Sequence, residues 1–275
     1  MPVRALIVDL DNTLVPEFAS YERAFDDGCG DIAQELGLDV SALRRSVFEA
    51  SHALWRSSPW AAECLRLGIG SPTSLLTDLT AGRPEHARLR AWMPEYRREA
   101  WHRGLAAHGV EPASRDALGR TLDAAFRARQ RVFSPPYPDA VPALRPVAGE
   151  YGLAMATNGP GDVQRAKVRA SGLERYFPIV VISEEIGSGK PEAAMLRIAL
   201  ERLGVSADEA VVVGDSRERD IAGARNAGVA SILVDRGAER SEGSPSADAT
   251  IASLAGLSPA LAAISSARRR PPPRG

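Results

Sequence analysis

Hydrophobic and polar positions divide the first half of the chain into two regions with different periodicities. Residues 3–9, VRALIVD, form a short apolar run that ends in an acid, which is typical of a fully buried β-strand. From about residue 17 to residue 134, apolar positions recur at helical spacing among Ala, Arg, Glu and Leu, with breaks at glycines and prolines. This second region has no convincing strand pattern, so we predict an all-helical segment over 17–134.

The second half of the chain alternates between strand and helix patterns. SPPYPDAVP, residues 134–142, is typical of a stiff, extended linker. Strands are then predicted at 152–157, 179–182, 210–214 and 230–234, with helices near 162–171, 191–203 and 219–227 and a short closing element near 249–256. The end of the chain, SSARRRPPPRG, has no apolar face to bury, so we expect residues 261–275 to form a disordered basic, proline-rich tail.

Apolar strands that alternate with helices predict an α/β fold built on a Rossmann-like parallel sheet with helices on both faces. The helical segment 17–134 interrupts this pattern after the first strand and is therefore predicted to be an inserted helical domain. The predicted catalytic core comprises residues 1–16 and 135–260.

Composition excludes several classes of protein. The 275 residues carry a formal net charge of -1, so no global charge attracts a nucleic acid polymer or an anionic membrane. The two cysteines, Cys29 and Cys64, form no CxxC pair, and the four histidines have no metal-ligand spacing. No apolar run approaches the ~20 residues of a membrane span. We expect a cytoplasmic protein, a monomer or a homodimer, that acts on a small molecule.

Polar side chains follow each of the first four predicted strands of the sheet. Ligands bind beyond the carboxyl ends of the strands in such sheets, so we expect these side chains to form one site. In order along the chain, they are Asp9 and Asp11 after the first strand, Thr157 and Asn158 after the second, Lys190 after the third, and Asp215 and Asp220 after the fourth. Lys190 is one of only two lysines in the chain.

Two glycine-rich stretches look like nucleotide-binding motifs but lack required residues. GSGKP, residues 187–191, resembles the end of a P-loop, yet Glu184 replaces the first glycine and Pro191 replaces the hydroxyl residue that holds Mg²⁺. GPGDVQ, residues 159–164, resembles a dinucleotide fingerprint, but Gln164 stands where the third glycine belongs. The dinucleotide fingerprint would also leave the acids on neighbouring strands unexplained.

The combination of acids, a hydroxyl, an amide and a lysine favours phosphoryl chemistry. Clustered carboxylates repel each other unless a cation neutralises them, and one or two acids together with a substrate phosphate commonly hold Mg²⁺. Lysine, hydroxyl groups and backbone N–H groups at helix starts bind phosphate. An aspartate can act as the nucleophile, and a second acid two residues away can act as general acid and base. Each acid could instead be a turn or helix cap, but capping explains a single motif better than all of them together.

The segments DLDNTL, ATNG, GSGKP and GDSRERD resemble, in this order, the four motifs of the haloacid dehalogenase (HAD) superfamily. The resemblance covers residues 3–16 and about 137–255. It implies that Asp9 is the nucleophile, that Asp11 is the general acid and base, and that Lys190 steadies the nucleophile and the transferring group. It further implies that Thr157 and the backbone N–H of Asn158 bind the phosphoryl group. The implied Mg²⁺ ligands are Asp9, the backbone carbonyl of Asp11 and Asp215, with Asp220 in the outer shell of the metal.

The resemblance also implies an activity. Members of the superfamily that attack carbon lack the second acid of the first motif, whereas Asp11 is present here, so the expected enzyme is a Mg²⁺-dependent phosphatase that forms an aspartyl-phosphate. The segment 17–134 resembles the helical cap of the first type, which selects substrates. Residues 157–191 are most similar to the branch of pyrimidine 5′-nucleotidases and N-acylneuraminate-9-phosphatases.

A small phosphate monoester is the expected substrate, and a nucleoside 5′-monophosphate is one candidate. A sugar or sugar-acid phosphate phosphatase, a phosphomutase and a binding protein that kept the fold without the chemistry are the alternatives.

Overall fold

The computed structural model describes residues 2–80, 83–237 and 243–269. The chain divides into two compact units. The sheet unit comprises Met1–Pro16, Pro136–Thr157 and Gly172–Gly275, and the helical unit comprises Glu17–Pro135 and Asn158–Ser171. The helical unit thus begins where the predicted insert begins, and it also includes the segment that follows Thr157.

Six strands of the described residues form the sheet, and their order is β3-β2-β1-β4-β5-β6. All neighbouring strands are parallel. The strands are β1 (Ala5–Val8), β2 (Gly152–Thr157), β3 (Ile179–Ile182), β4 (Ala210–Gly214), β5 (Ala230–Val234) and β6 (Ala249–Ile251). The central strand β1 is buried at every position, as its continuous apolar sequence predicts for a sheet covered on both faces. The predicted fold class, a Rossmann-like parallel sheet with an inserted helical segment, is confirmed.

The helices of the described residues follow the predicted pattern in most places. Those of the first half are α1 (Glu17–Glu35), α2 (Val40–Ser57), α3 (Ala61–Leu67), α4 (Ser71–Leu76), α5 (Ala87–Ala106) and α6 (Pro112–Val132). Those of the second half are α7 (Ala140–Val147), α8 (Gly161–Ala170), α9 (Ser183–Ile186), α10 (Ala194–Leu203), α11 (Ala222–Ala227) and α12 (Leu257–Arg269). A π-helical turn, Arg217–Ile221, precedes α11.

Local sequence explains where several helices begin and end. The side chain of Asp39 accepts a hydrogen bond of 2.6 Å from the backbone N–H of Ala42 and so caps the start of α2. Helix α3 ends at Leu67, and Gly68 after it has a φ of 70°, in the left-handed region that glycine adopts without strain. In the helical unit, Phe25 stacks on Trp101 with a distance of 5.3 Å between ring centroids, at the centre of its core.

Two segments differ from their predictions. The expected disordered tail over 261–275 is wrong for residues 261–269, because α12 extends to Arg269. Leu257, Leu261 and Ile264 are spaced at i, i+4 and i+7 and are buried, so this part of the chain has an apolar stripe after all. Residues 270–275 lie outside the described residues. The predicted linker 134–142 is also shorter than expected, since α7 begins at Ala140.

Among the described helices, none is both long and apolar enough to cross a membrane.

Candidate active site

The strand order brings the predicted site residues to one edge of the sheet. Strand β1 lies between β2 and β4, with Val8 in register with Met155 on one side and Val213 on the other. Asp9 follows β1 directly, and its backbone N–H donates a hydrogen bond of 2.9 Å to the carbonyl of Val213. The segments after β1, β2 and β4 therefore leave the sheet side by side.

Lys190 lies at the centre of the site. Its ammonium group donates hydrogen bonds of 2.6 Å to Asp9 Oδ1, to Asp220 Oδ1 and to the backbone carbonyl of Ala156. Lys190 is 4% exposed, Asp9 7% and Asp220 2%, so both ion pairs are buried. A buried ammonium needs a partner for each proton, and three acceptors supply them.

Three carboxylates form a cluster at the same place. One oxygen from each of Asp9, Asp215 and Asp220 lies within 4.8 Å of the other two. The hydroxyl of Thr13 lies 3.2 Å from Asp9 Oδ2 and 3.1 Å from Asp215 Oδ1, so it bridges two of the three acids. Three carboxylates and one ammonium have a formal charge of −2.

Burial dominates the electrostatics of these groups. It raises the pKa of Asp9 well above its usual range, Lys190 opposes this shift, and the nearby Asp220 and Asp215 add to it. Burial and then Asp220 raise the pKa of Asp215 to about 7, against the hydrogen bond from Thr13. For Lys190, burial lowers the pKa, but the charges of Asp220 and Asp9 outweigh burial and raise it above its ordinary value. The site thus favours added positive charge.

The donor set fits Mg²⁺. The ion prefers hard oxygen ligands and is commonly bound by one or two carboxylates plus substrate phosphate, which is what this cluster offers. A divalent cation also matches the formal charge of −2 that remains after Lys190 is counted.

Local structure explains how Asp220 reaches the cluster. It lies on the π-helical turn, and its Oδ2 accepts a hydrogen bond of 3.0 Å from the backbone N–H of Ser216. A Cβ atom added to Gly214 would lie 2.3 Å from Asp220 Cγ. Only glycine leaves room for this carboxylate at the end of β4.

The remaining predicted residues, Asp11, Thr157 and Asn158, are close in sequence to residues that form the cluster or bind Lys190. Asp11 is partly buried, and Asn12 next to it has a φ of 61° in a tight turn. The carboxylate of Asp11 does not belong to the three-acid cluster found among the described residues. Thr157 is 1% exposed and ends β2, one residue beyond the carbonyl that binds Lys190. Asn158 is partly buried and begins the second segment of the helical unit.

Sequence reasoning missed three contributors to the site. Thr13 belongs to the first motif, and a hydroxyl four residues after an acid in a tight turn is a signal that could have identified it. Gly214 could have been found as the glycine that immediately precedes an acid at a strand end. The carbonyl of Ala156 had no signal in the sequence, because any residue has this group.

Ligands of open α/β sheets bind beyond the carboxyl ends of the strands, which is where these acids and the lysine lie. The chain belongs to the haloacid dehalogenase-like hydrolase family, whose sequence profile matches residues 3–228. The family and the class of enzyme predicted from the sequence are thereby confirmed.

Named relatives agree with this assignment. The chain is 32% identical over 254 residues to a phosphoserine phosphatase of Thermus thermophilus, which covers 92% of this chain and 96% of that protein. It is 34% identical over 134 residues to the pyrimidine 5′-nucleotidase YjjG of Escherichia coli, covering 48% of this chain and 55% of that protein. The crystal structure of the HAD-hydrolase YfnB from Bacillus subtilis, described as bound to magnesium, superposes with a TM-score of 0.62 at 19% identity. It covers 95% of this chain and 99% of that one, and this likeness shows the fold.

Proposed function

We propose that the protein is a Mg²⁺-dependent phosphatase that hydrolyses a small phosphate monoester through an aspartyl-phosphate on Asp9. The observation that carries this proposal is the buried cluster in which Lys190 contacts both Asp9 and Asp220 while Asp215 lies within 4.8 Å of both acids. A capping role would leave such acids at the surface, whereas a site for an anion and a cation requires them together.

Asp9 is the proposed nucleophile because its carboxylate is held in one orientation. Lys190 donates to Oδ1, and Thr13 lies 3.2 Å from Oδ2. A nucleophile fixed in this way loses little entropy when the substrate arrives. Burial raises the pKa of Asp9, and the charge of Lys190 opposes that shift, so Lys190 favours the ionised carboxylate that the attack requires.

The proposed reaction has two halves. An oxygen of Asp9 attacks phosphorus, the bond from phosphorus to the ester oxygen breaks, and Asp11 donates a proton to the leaving alcohol. Asp11 then removes a proton from water, whose oxygen attacks phosphorus, so that inorganic phosphate leaves and Asp9 is regenerated. Lys190, the hydroxyl of Thr157 and the backbone N–H of Asn158 bind the phosphoryl oxygens and offset their charge.

Asp9, the backbone carbonyl of Asp11 and Asp215 are the residues that would hold Mg²⁺. When bound, the ion supplies charge neutralisation, which lets an anionic phosphate approach an anionic carboxylate. Asp220 is proposed to act from the outer shell, because Lys190 occupies its Oδ1 and the N–H of Ser216 occupies its Oδ2. Outer-shell groups of this kind orient the residues that touch the metal.

A nucleoside 5′-monophosphate is the first candidate substrate, supported by the similarity to the nucleotidase. The similarity to the phosphoserine phosphatase covers more of the chain and supports other small phosphate monoesters as substrates. Sugar and sugar-acid phosphates are therefore the alternative candidate substrates. Substrate preference is proposed to reside in the insert 17–134, since the proposed chemical steps use residues of the four motifs only.

A substrate screen with a trapping step tests the proposal. The purified protein is incubated with Mg²⁺ and a panel of nucleoside monophosphates, phosphosugars, phosphoserine and an aryl phosphate, and released phosphate is measured. The matched control is Asp9→Asn. Acid-quenched enzyme is then reduced with borohydride, which converts an acyl phosphate at Asp9 into homoserine, detectable by mass spectrometry.

Release of phosphate from at least one monoester, with homoserine at position 9, is the expected result. Isomerised substrate without released phosphate would instead indicate a mutase. Tight binding of a monoester with no turnover would indicate a binding protein, and homoserine at another position would show that the nucleophile is wrong.

A further inference from the structure

We propose that Arg236 is a positioning residue of the active site. It acts through Thr13 to hold the nucleophile Asp9 and the metal-binding acid Asp215 in place relative to each other. This inference rests on the proposed function and adds a residue that lies outside all four motifs. Arg236 follows β5, two residues beyond its last member, Val234.

Thr13 is the part of the site on which Arg236 acts. The Thr13 side chain is fully buried, and its hydroxyl spans the gap between Asp9 Oδ2 and Asp215 Oδ1. It therefore links the acid that follows β1 to the acid that follows β4. A hydroxyl has one proton, so it can donate a hydrogen bond to only one of the two carboxylates at a time. The lone pairs of its oxygen can accept a hydrogen bond from the other acid when that acid is protonated. A shift of this hydroxyl would therefore change its contacts with both acids.

The backbone of Thr13 is held from outside the motif. Arg236 Nη2 donates a hydrogen bond of 3.1 Å to the carbonyl oxygen of Thr13. The same nitrogen donates a hydrogen bond of 3.0 Å to Asp139 Oδ1. The two protons of one guanidinium nitrogen thus connect the turn after β1 with the segment that returns to the sheet unit.

The guanidinium itself is rigidly supported. Its central carbon lies 3.8 Å from the centroid of the Tyr137 ring, close enough for a cation–π contact. The backbone N–H of Tyr137 donates a hydrogen bond of 2.8 Å to the carbonyl of Leu14, the residue after Thr13. Asp139 is fixed as well, because its Oδ2 accepts a hydrogen bond of 2.9 Å from the backbone N–H of Leu254.

The backbone that carries Arg236 is also anchored. The N–H of Asp235 donates a hydrogen bond of 2.8 Å to the carbonyl of Ile251 at the end of β6. Strands β5 and β6 thereby fix the backbone beside Arg236, which in turn contacts the turn that follows β1. Without the guanidinium, the Thr13 carbonyl loses this donor, and the hydroxyl on the same residue loses its fixed position between the two acids.

The test uses Arg236→Met, which keeps much of the side-chain volume over Tyr137 and removes the donors. The matched control is Arg4→Met, which removes an arginine that pairs with Glu209 at 3.0 Å before the start of β1, at the opposite end of the sheet. Turnover of the best substrate, Mg²⁺ affinity by isothermal titration calorimetry and melting temperature are measured for both variants. Outer-shell positioning groups are worth about 10-fold to 100-fold in metal affinity or activity.

Arg236→Met should lower kcat by about 10-fold or more with KM within about twofold, and should weaken Mg²⁺ binding by about 10-fold. Arg4→Met should leave kcat and Mg²⁺ affinity at the wild-type values. Arg236→Lys, which keeps a cation and a donor but loses the planar stack on Tyr137, should fall between wild type and Arg236→Met. If Arg236→Met does not fold, Arg236→Lys carries the same comparison with a smaller expected change.

A double-mutant cycle with Thr13→Val separates positioning from general stability. Thr13→Val removes the bridging hydroxyl, so adding Arg236→Met to it should change kcat and Mg²⁺ affinity by less than about twofold further. The inference is overturned if the two losses multiply in full, or if Arg236→Met changes melting temperature but neither kcat nor Mg²⁺ affinity. If the wild-type protein hydrolyses no monoester, the Mg²⁺ titrations alone decide this inference, while the proposed function fails separately.

Discussion

Replacing Lys190 with methionine should destabilise the protein in a way that depends on pH. The substitution keeps the length of the side chain and removes the ammonium group that contacts Asp9 and Asp220 at 2.6 Å each. Both carboxylates are more than nine-tenths buried, so neither can turn to bulk water for compensation. Breaking a buried ion pair by removing one partner costs about 3–5 kcal/mol, and here one cation serves two acids.

That loss is a large fraction of the stability of a typical domain, which is about 5–15 kcal/mol. The sign of the pH dependence follows from Asp9. Burial already raises its pKa, and removing Lys190 eliminates the charge that opposes the shift. A carboxyl group with a higher pKa in the folded protein than in the unfolded chain destabilises the fold above the unfolded value, and the penalty grows until the pH passes the folded pKa.

The loss caused by Lys190→Met should therefore be smaller at pH 5.5 than at pH 7.5, by at most about 1.4 kcal/mol per pH unit for each additional bound proton. Urea unfolding of metal-free protein at both pH values measures this loss of stability.

Mg²⁺ should restore part of the stability of Lys190→Met, since a cation returns to the cluster. The double variant Lys190→Met with Asp220→Asn should be more stable than Lys190→Met, because it buries one charge fewer. A loss below about 1 kcal/mol that is equal at both pH values would refute this reasoning.

Three further predictions address the acids and the glycine of the cluster. Asp9→Asn should lower phosphate release by at least about 100-fold and leave the melting temperature within a few degrees, because an amide is a poor nucleophile of nearly the same size. Mg²⁺ should raise the melting temperature of metal-free protein more at pH 8 than at pH 5.5, because burial and Asp220 raise the pKa of Asp215 to about 7 and the protonated acid binds metal poorly. Gly214→Ala should destabilise the protein by about 2 kcal/mol or more in urea unfolding, because its Cβ would lie 2.3 Å from Asp220 Cγ.

Each of these has a result that would contradict it. Turnover by Asp9→Asn above about a hundredth of the wild-type rate would remove Asp9 as the nucleophile. An equal effect of Mg²⁺ at both pH values, or one unchanged in Asp215→Asn, would remove Asp215 from the metal site. A Gly214→Ala variant with wild-type stability would show that Asp220 can move without cost.

Four of the strands were predictable because each carries its own signal. The bounds predicted for these four strands, 152–157, 179–182, 210–214 and 230–234, are those that the structure has. Short apolar runs between glycines and polar loops are typical of strands buried on both faces. The α12 helix was missed because its apolar positions, Leu257, Leu261 and Ile264, are diluted by small residues and followed by a basic, proline-rich end. The prediction of a disordered tail relied on this composition and overlooked the helical spacing of the three apolar residues.

The predicted site residues were found through a rule about sheets, not through contacts. A polar residue at the end of a buried strand needs a reason to be there, and this signal is local, so Asp9, Thr157 and Asp215 could be selected without knowing their neighbours. Arg236 has no comparable local signal, and the only local signal for Gly214 is its place before an acid at a strand end. Gly214 matters only because Asp220 folds back over it, and Arg236 only because Thr13 and Asp139 lie within reach of its guanidinium.

The fold class, the helical insert, the four motifs and the chemistry that their side chains can perform were predictable from the amino-acid sequence alone. These properties depend on residue type and on spacing along the chain, which are local. The strand order, which places β1 between β2 and β4, became known from the three-dimensional structure. The same holds for the 2.6 Å contacts of Lys190 with Asp9 and Asp220, which lie 181 and 30 residues away in the chain. Contacts of this kind arise from packing of the whole sheet, so their distances, and the pKa shifts that burial causes, are set by residues far from the motifs.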